Sequence, residues 1–257
     1  MKRNKIKKKY LTNIKEEEKN INDEEKDITS QIKAALISFG WIILLSIYSY
    51  IPLIFLAMFG IDYNNFSYNG KILYTIICSV LFLVFIIFIY RKELIMNAKG
   101  FFNKNFISNL EVPVKYWLVG LLVMIGSNFF ISIITNGGIA SNEESVRELI
   151  DMMPLYMVFQ ILIYAPITEE LIFRKSIRNI FNNKYLYILT SGLVFGGLHV
   201  ITSVSTITDL LYIVPYSALG IAFAYTYTKT NNIFSTISMH ALHNSLTLIL
   251  FFLGRSV

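Results

Sequence analysis

The sequence predicts an all-α fold, a polytopic transmembrane bundle of about seven helices, and three observations carry that expectation. Of the 257 residues, 54% are hydrophobic and 16% are charged, where a soluble domain has roughly a quarter of its residues charged. The apolar residues gather into runs close to the ~20 needed to cross a bilayer as a helix. The Lys and Arg residues, finally, fall almost entirely in segments that alternate crossings would place on one side of a membrane.

Residues 1–33 form a charged tail that opens with Lys2, Arg3, Lys5, Lys7, Lys8 and Lys9. Such a tail suits a solvated or lipid-surface anchor better than a binding module. Residues 34–257 read as one multi-spanning membrane domain with its motif core at 155–253. The first apolar run, 34–59, is too long and starts too late for a cleaved signal peptide, so it is expected to be the first span. A loop from Gly60 to Gly70 follows, then a second run at 72–90, a polar connection from Arg91 to Lys115, and a third run at 116–135. Ser141 to Met153 is acidic and amphipathic, with Ser141 as candidate N-cap and Pro154 closing it; it is expected to lie along the interface. Four more runs follow at 155–173, 185–203, 210–227 and 233–253. The length of the first run also allows an eighth span.

The charges orient this arrangement. With the N-terminus inside, the inside segments hold twenty of the 23 Lys and Arg residues, and the outside segments hold only Lys71, Arg147 and Arg255. The positive-inside rule expects that asymmetry. The net charge of +6 is thereby a topology signal, and no nucleic-acid partner is expected. Cys78, the single cysteine, excludes an intrachain disulfide and a Cys-rich metal site.

Within the apolar runs a few polar residues stand out. Glu169 and Glu170 lie near the end of the fourth run, where a charged side chain at mid-bilayer costs about 2.5–3.5 kcal/mol on insertion scales. Glu170 and Arg174 are four apart and share a helix face. Glu169 points about 100° away. Pro166 removes a backbone donor and can open the helix locally. All three histidines, His199, His240 and His243, fall in apolar runs. His240 and Asn244 are i, i+4, while His243 by itself reads as a helix–helix hydrogen-bonding residue. If the fourth and fifth runs form a hairpin at Asn183–Lys184, Glu169 and His199 both sit roughly 21–23 Å from the turn, and the polar side chains can converge.

A carboxylate beside an imidazole can take a proton from water as a general base. A second imidazole and an amide N–H can stabilise an oxyanion. Glu169, His199 and His240 could instead ligate zinc, although no HExxH motif is present. At these residues the chain resembles the CPBP family, the CAAX-protease and bacteriocin-processing (Abi) intramembrane proteases. Their pattern of Glu-Glu-x-x-x-Arg, Phe-x-x-x-His and His-x-x-x-Asn is matched by Glu169-Glu170-Leu-Ile-Phe-Arg174, Phe195-Gly-Gly-Leu-His199 and His240-Ala-Leu-His-Asn244. The resemblance implies that Glu169 and His199 activate water, that His240 and Asn244 form an oxyanion hole, and that Glu170 and Arg174 orient the site. It further implies a glutamate-dependent reaction that needs no cofactor, with a divalent metal such as zinc as the older alternative. His243 is outside the pattern, and residues 1–150 carry no motif.

The expected function is an intramembrane endopeptidase in a bacterial plasma membrane, N-terminus cytoplasmic, acting on a membrane-associated peptide or membrane protein. Two competitors are a non-catalytic regulator or bacteriocin-immunity scaffold that binds partner membrane proteins, and a proton- or cation-coupled transporter. The absence of an internal repeat weighs against the transporter.

Overall fold

The computed structural model describes the backbone from residue 2 to 254 and side chains from residue 23 onward. The tail's first 22 side chains and Arg255 therefore lie outside the described residues. Among these residues every regular element is helical. Seven helices are long and apolar enough to cross a membrane, in agreement with the expected bundle.

Helix α1 runs unbroken from Lys2 to Ile47, so the tail and the first span form one helix, whose candidate spanning part is Asp23–Ile47. The first apolar run does not stay helical to residue 59 as expected. It breaks at Tyr48–Tyr50, and a short helix α2 follows at Ile51–Met58. Pro52 near the start of α2 accounts for the break: it has no N–H to give, and its ring clashes with the carbonyl four residues back.

Helices α3 (Tyr68–Phe101) and α4 (Phe106–Ile134) absorb nearly all of the connection expected at Arg91–Lys115. The turn between them is confined to residues 102–105. The polar end of α3 is held by cross-helix bonds, among them the ion pair from Lys175 Nζ to Glu93 Oε1 at 2.7 Å. Buried Asn97 accepts from the Ile233 N–H through Oδ1 and from Asn232 Nδ2 through its carbonyl, both at 2.8 Å. The Asn97 side chain thus supplies an acceptor for a backbone N–H at the start of the last helix.

Helix α5 spans Ser141–Met152, close to expectation, but its N-cap is Ala140. Ser141 is the first helical residue, and its hydroxyl donates to Asp209 Oδ2 at 3.2 Å instead of capping its own helix.

Four further long elements build the core. They are α6 (Pro154–Ser176), α7 (Lys184–Ile201), α8 (Ile213–Thr230, preceded by a 3-10 turn at Ile207–Tyr212) and α9 (Ile233–Gly254). The α7–α8 contact is the tightest, because small residues let two backbones approach. A Cβ on Gly220 would lie 3.0 Å from both the Cα and the carbonyl of Gly192. The main apolar cluster gathers Phe82, Ile86, Leu171, Phe173, Tyr187 and Phe195 around this pair. Outward faces such as Leu81, Val84 and Phe88 of α3 remain exposed, as lipid-facing residues do, since hydrocarbon rather than other side chains is their partner.

Helix α6 is irregular. Two π-helical stretches, Gln160–Tyr164 and Leu171–Ser176, flank an α-helical turn, Ala165–Glu170. In the first stretch the Ala165 N–H bonds to the Gln160 carbonyl, five residues back. The same register would give the Ile161 carbonyl to residue 166, which is proline and has no N–H. A carbonyl is therefore left open within the membrane-spanning helix.

Candidate active site

Asn244 of α9 fills that opening. Its Nδ2 donates to the Ile161 carbonyl at 2.8 Å, so Pro166 and the π-turn create the acceptor that holds α9 against α6. One of the two Asn244 amide hydrogens is used in this way.

Glu169 follows Pro166 by three residues. Its Oε2 lies 3.8 Å from His199 Nε2 and 4.0 Å from His240 Nε2. The same oxygen is buried and has no hydrogen-bond partner among the described residues. Both separations are too long for direct hydrogen bonds, but a water about 2.8 Å from the carboxylate and from the His199 nitrogen could bridge them.

His199 is oriented by its own helix. Its Nδ1 sits 2.8 Å from the Phe195 carbonyl. A carbonyl only accepts, so Nδ1 carries the proton and Nε2 turns to Glu169. The ring is sandwiched by Phe195, centroids 4.3 Å apart, and by Tyr216, stacked at 5.0 Å.

Glu170 does the opposite of its neighbour. It is fully buried, and its Oε2 lies 3.0 Å from Arg174 Nε, the expected i, i+4 pair. Its Oε1 lies 3.0 Å from His240 Nδ1. One carboxylate therefore ties together α6 and α9. Arg174 is equally buried, with its guanidinium 4.7 Å from the Phe195 ring centroid and Nη1 at 3.4 Å from Ser191 Oγ. Ser191 in turn donates to the Phe173 carbonyl at 2.6 Å, in the second π-helical stretch. Desolvating an isolated charge would be prohibitive. Here the cation is matched by Glu170 and by aromatic faces.

All six residues expected at the site, Glu169, Glu170, Arg174, His199, His240 and Asn244, thus surround one place. Glu169, His199, His240 and Asn244 line a chamber of about 620 Å³ whose other walls include Phe195, Tyr216 and Phe223. Glu170 and Arg174 sit behind it. Three participants escaped sequence reasoning. Ser191 and Tyr216 carry no motif. His243 was expected to hydrogen-bond between helices, yet its buried Nδ1 has no hydrogen-bond partner among the described residues and the residue lines the chamber. Its spacing of three from His240 was the available signal.

Zinc does not fit this arrangement as it stands. Ligand atoms of a tetrahedral zinc site with bonds of 2.0–2.1 Å lie about 3.3 Å apart, shorter than the 3.8 and 4.0 Å separations at Glu169. Among the described residues no group of three or more His, Cys, Asp or Glu side chains has metal-holding geometry.

Comparison with known proteins bears on the same segment. Residues 151–246 match the family described as type II CAAX prenyl endopeptidase Rce1-like. The chain is 25% identical to "Putative membrane peptidase YdiL" of Bacillus subtilis over 208 residues, covering 74% of this chain and 75% of the relative. It is 28% identical to an uncharacterised protein of Mycoplasma capricolum, covering 77% of this chain and 64% of the relative. With UPF0177 protein YvdC of Lactococcus lactis it shares 26% identity, over 66% of this chain and 65% of the relative. The chain thus spans just under two thirds of the length of the latter two. No solved structure matches.

Proposed function

We propose that this chain, whose residues 151–246 match the Rce1-like family, is an intramembrane endopeptidase using Glu169 as general base. The observation that carries this reading is the Glu169 carboxylate: a buried oxygen with no hydrogen-bond partner among the described residues, facing two imidazoles on a chamber wall.

Each group has a role its contacts permit. A water bridging Glu169 and His199 Nε2 gives a proton to Glu169 as its oxygen attacks the scissile carbonyl. The attacked carbonyl becomes an oxyanion, which His240 Nε2–H and the second Asn244 amide N–H stabilise. Because His240 Nδ1–H is committed to Glu170, a donating Nε2–H requires the imidazolium. Glu169 returns its proton to the leaving amine when the C–N bond breaks. Glu170 and Arg174 are positioning residues that hold the His240 ring. The substrate is a peptide segment of a membrane-associated polypeptide. The setting is a bacterial plasma membrane with the N-terminus in the cytoplasm, supported by the Lys/Arg asymmetry.

The test is cleavage of a library of membrane-tethered peptides by the full chain in proteoliposomes. Wild type is compared with Glu169→Ala and His199→Ala, with and without a chelator. Cleavage lost in both variants and indifferent to chelator supports the reading. Loss with chelator and recovery with zinc moves the chemistry to metal. Folded variants that keep the cellular function while wild type cleaves nothing favour the scaffold alternative.

A further inference from the structure

The chamber is built from one end of the bundle only. On α4 its lining begins at Met124 and ends at Ser132, and on α9 it begins at His240 and ends at Phe251. Both are the ends remote from the turns at 102–105, 177–183 and 231–232. Along α9 the lining descends eleven residues, about 16 Å at 1.5 Å per residue. Glu169, His199 and His240 lie at its floor, and α5 stands at its mouth through Asn142 and Glu143.

Below the floor lies a fully buried layer. Leu171, Ile172, Phe173, Arg174 and Ile233 are each 0–2% exposed, so this layer closes the chamber toward those turns. The two ends also differ in charge. Among the described residues the segments at the closed end hold twelve Lys and Arg residues, whereas those at the open end hold two, Lys71 and Arg147, against the six carboxylates of Asp62, Glu143, Glu144, Glu148, Asp151 and Asp209. Basic segments stay in the cytoplasm.

From these two independent asymmetries we infer that the chamber admits its substrate from the non-cytoplasmic face of the membrane. On the endopeptidase reading, on which this rests, the substrate class is polypeptide lying at that face, such as exported peptides or the outer flanks of membrane proteins. Peptides that reach the membrane only from the cytoplasm are not substrates.

Cysteine labelling tests the sidedness without relying on hydrolysis, so it stays decisive even if no cleavage is ever seen. The chain's sole cysteine, Cys78, is buried, which makes the unaltered protein a blank. Ser132→Cys and Thr247→Cys probe the chamber, and Asn179→Cys probes the basic end. Intact cells are treated with a membrane-impermeant maleimide, and labelling after detergent denaturation confirms that each thiol is present. The expected result is labelling of Ser132→Cys and Thr247→Cys in intact cells, lost when an impermeant thiol blocker is added outside first. Asn179→Cys should label only after permeabilisation. Chamber positions that react only in inverted vesicles overturn the inference, as does Asn179→Cys reacting in intact cells. Chamber thiols silent from both sides but reactive after denaturation overturn it too.

Discussion

Gly196 couples helix packing to the site. A Cβ placed there would lie 2.6 Å from the Ser217 backbone nitrogen and 2.9 Å from the Ile213 carbonyl oxygen, and would also strike Ser217 Oγ. The hydroxyl can rotate away, but the two backbone atoms of α8 cannot. Ordinary contact begins near 3.4 Å, so Gly196→Ala must part α7 from α8 by about 0.8 Å. Overpacking of this kind costs about 1–3 kcal/mol. His199 sits three residues further along α7 and moves with it, while Glu169 on α6 does not. A misplacement near 1 Å can lower a rate by about 10²-fold. Gly197→Ala is the control, since the nearest atom to its Cβ is Ile201 Cδ1 at 3.8 Å. Thermal unfolding in detergent and cleavage rates in proteoliposomes should therefore separate two adjacent, chemically identical substitutions. Gly196→Ala with the melting temperature and rate of Gly197→Ala would refute the argument that backbone contact between α7 and α8 sets the position of His199.

Further variants at Arg174 and Asn244 address the buried network. Arg174→Leu leaves Glu170 charged in a fully buried place and should destabilise the protein by about 3–5 kcal/mol; the double variant Glu170→Gln/Arg174→Leu should recover part of that loss in the same unfolding measurement. Asn244→Ala leaves the Ile161 carbonyl unsatisfied, at a cost of about 1–3 kcal/mol, and removes an N–H from the chamber. Asn244→Asp, whose carboxylate only accepts, should lose cleavage as fully as the alanine variant, and retained activity in it would show that the amide hydrogens are dispensable.

Much of this protein is determined by local rules that operate along the chain. Apolar runs near bilayer length become spans because no other arrangement satisfies their backbone in hydrocarbon. The Glu170–Arg174 pair is fixed by helical spacing alone. The convergence of Glu169, His199, His240 and Asn244 is legible as soon as four isolated polar residues must share depth within apolar helices. What stayed hidden depends on partners distant in sequence. Nothing near Ile161 announces that its carbonyl is open, because that follows from a π-helical register chosen by packing, and Asn244 closes it from 83 residues away. The same holds for His240, which is tied to Glu170 as well as facing Glu169. It holds for Ser141, which leaves its capping role for Asp209, and for His243, placed on the chamber wall without a partner for Nδ1. Sequence periodicity states which face a residue occupies; only the packed bundle decides which atom on the neighbouring helix stands within three ångströms of it.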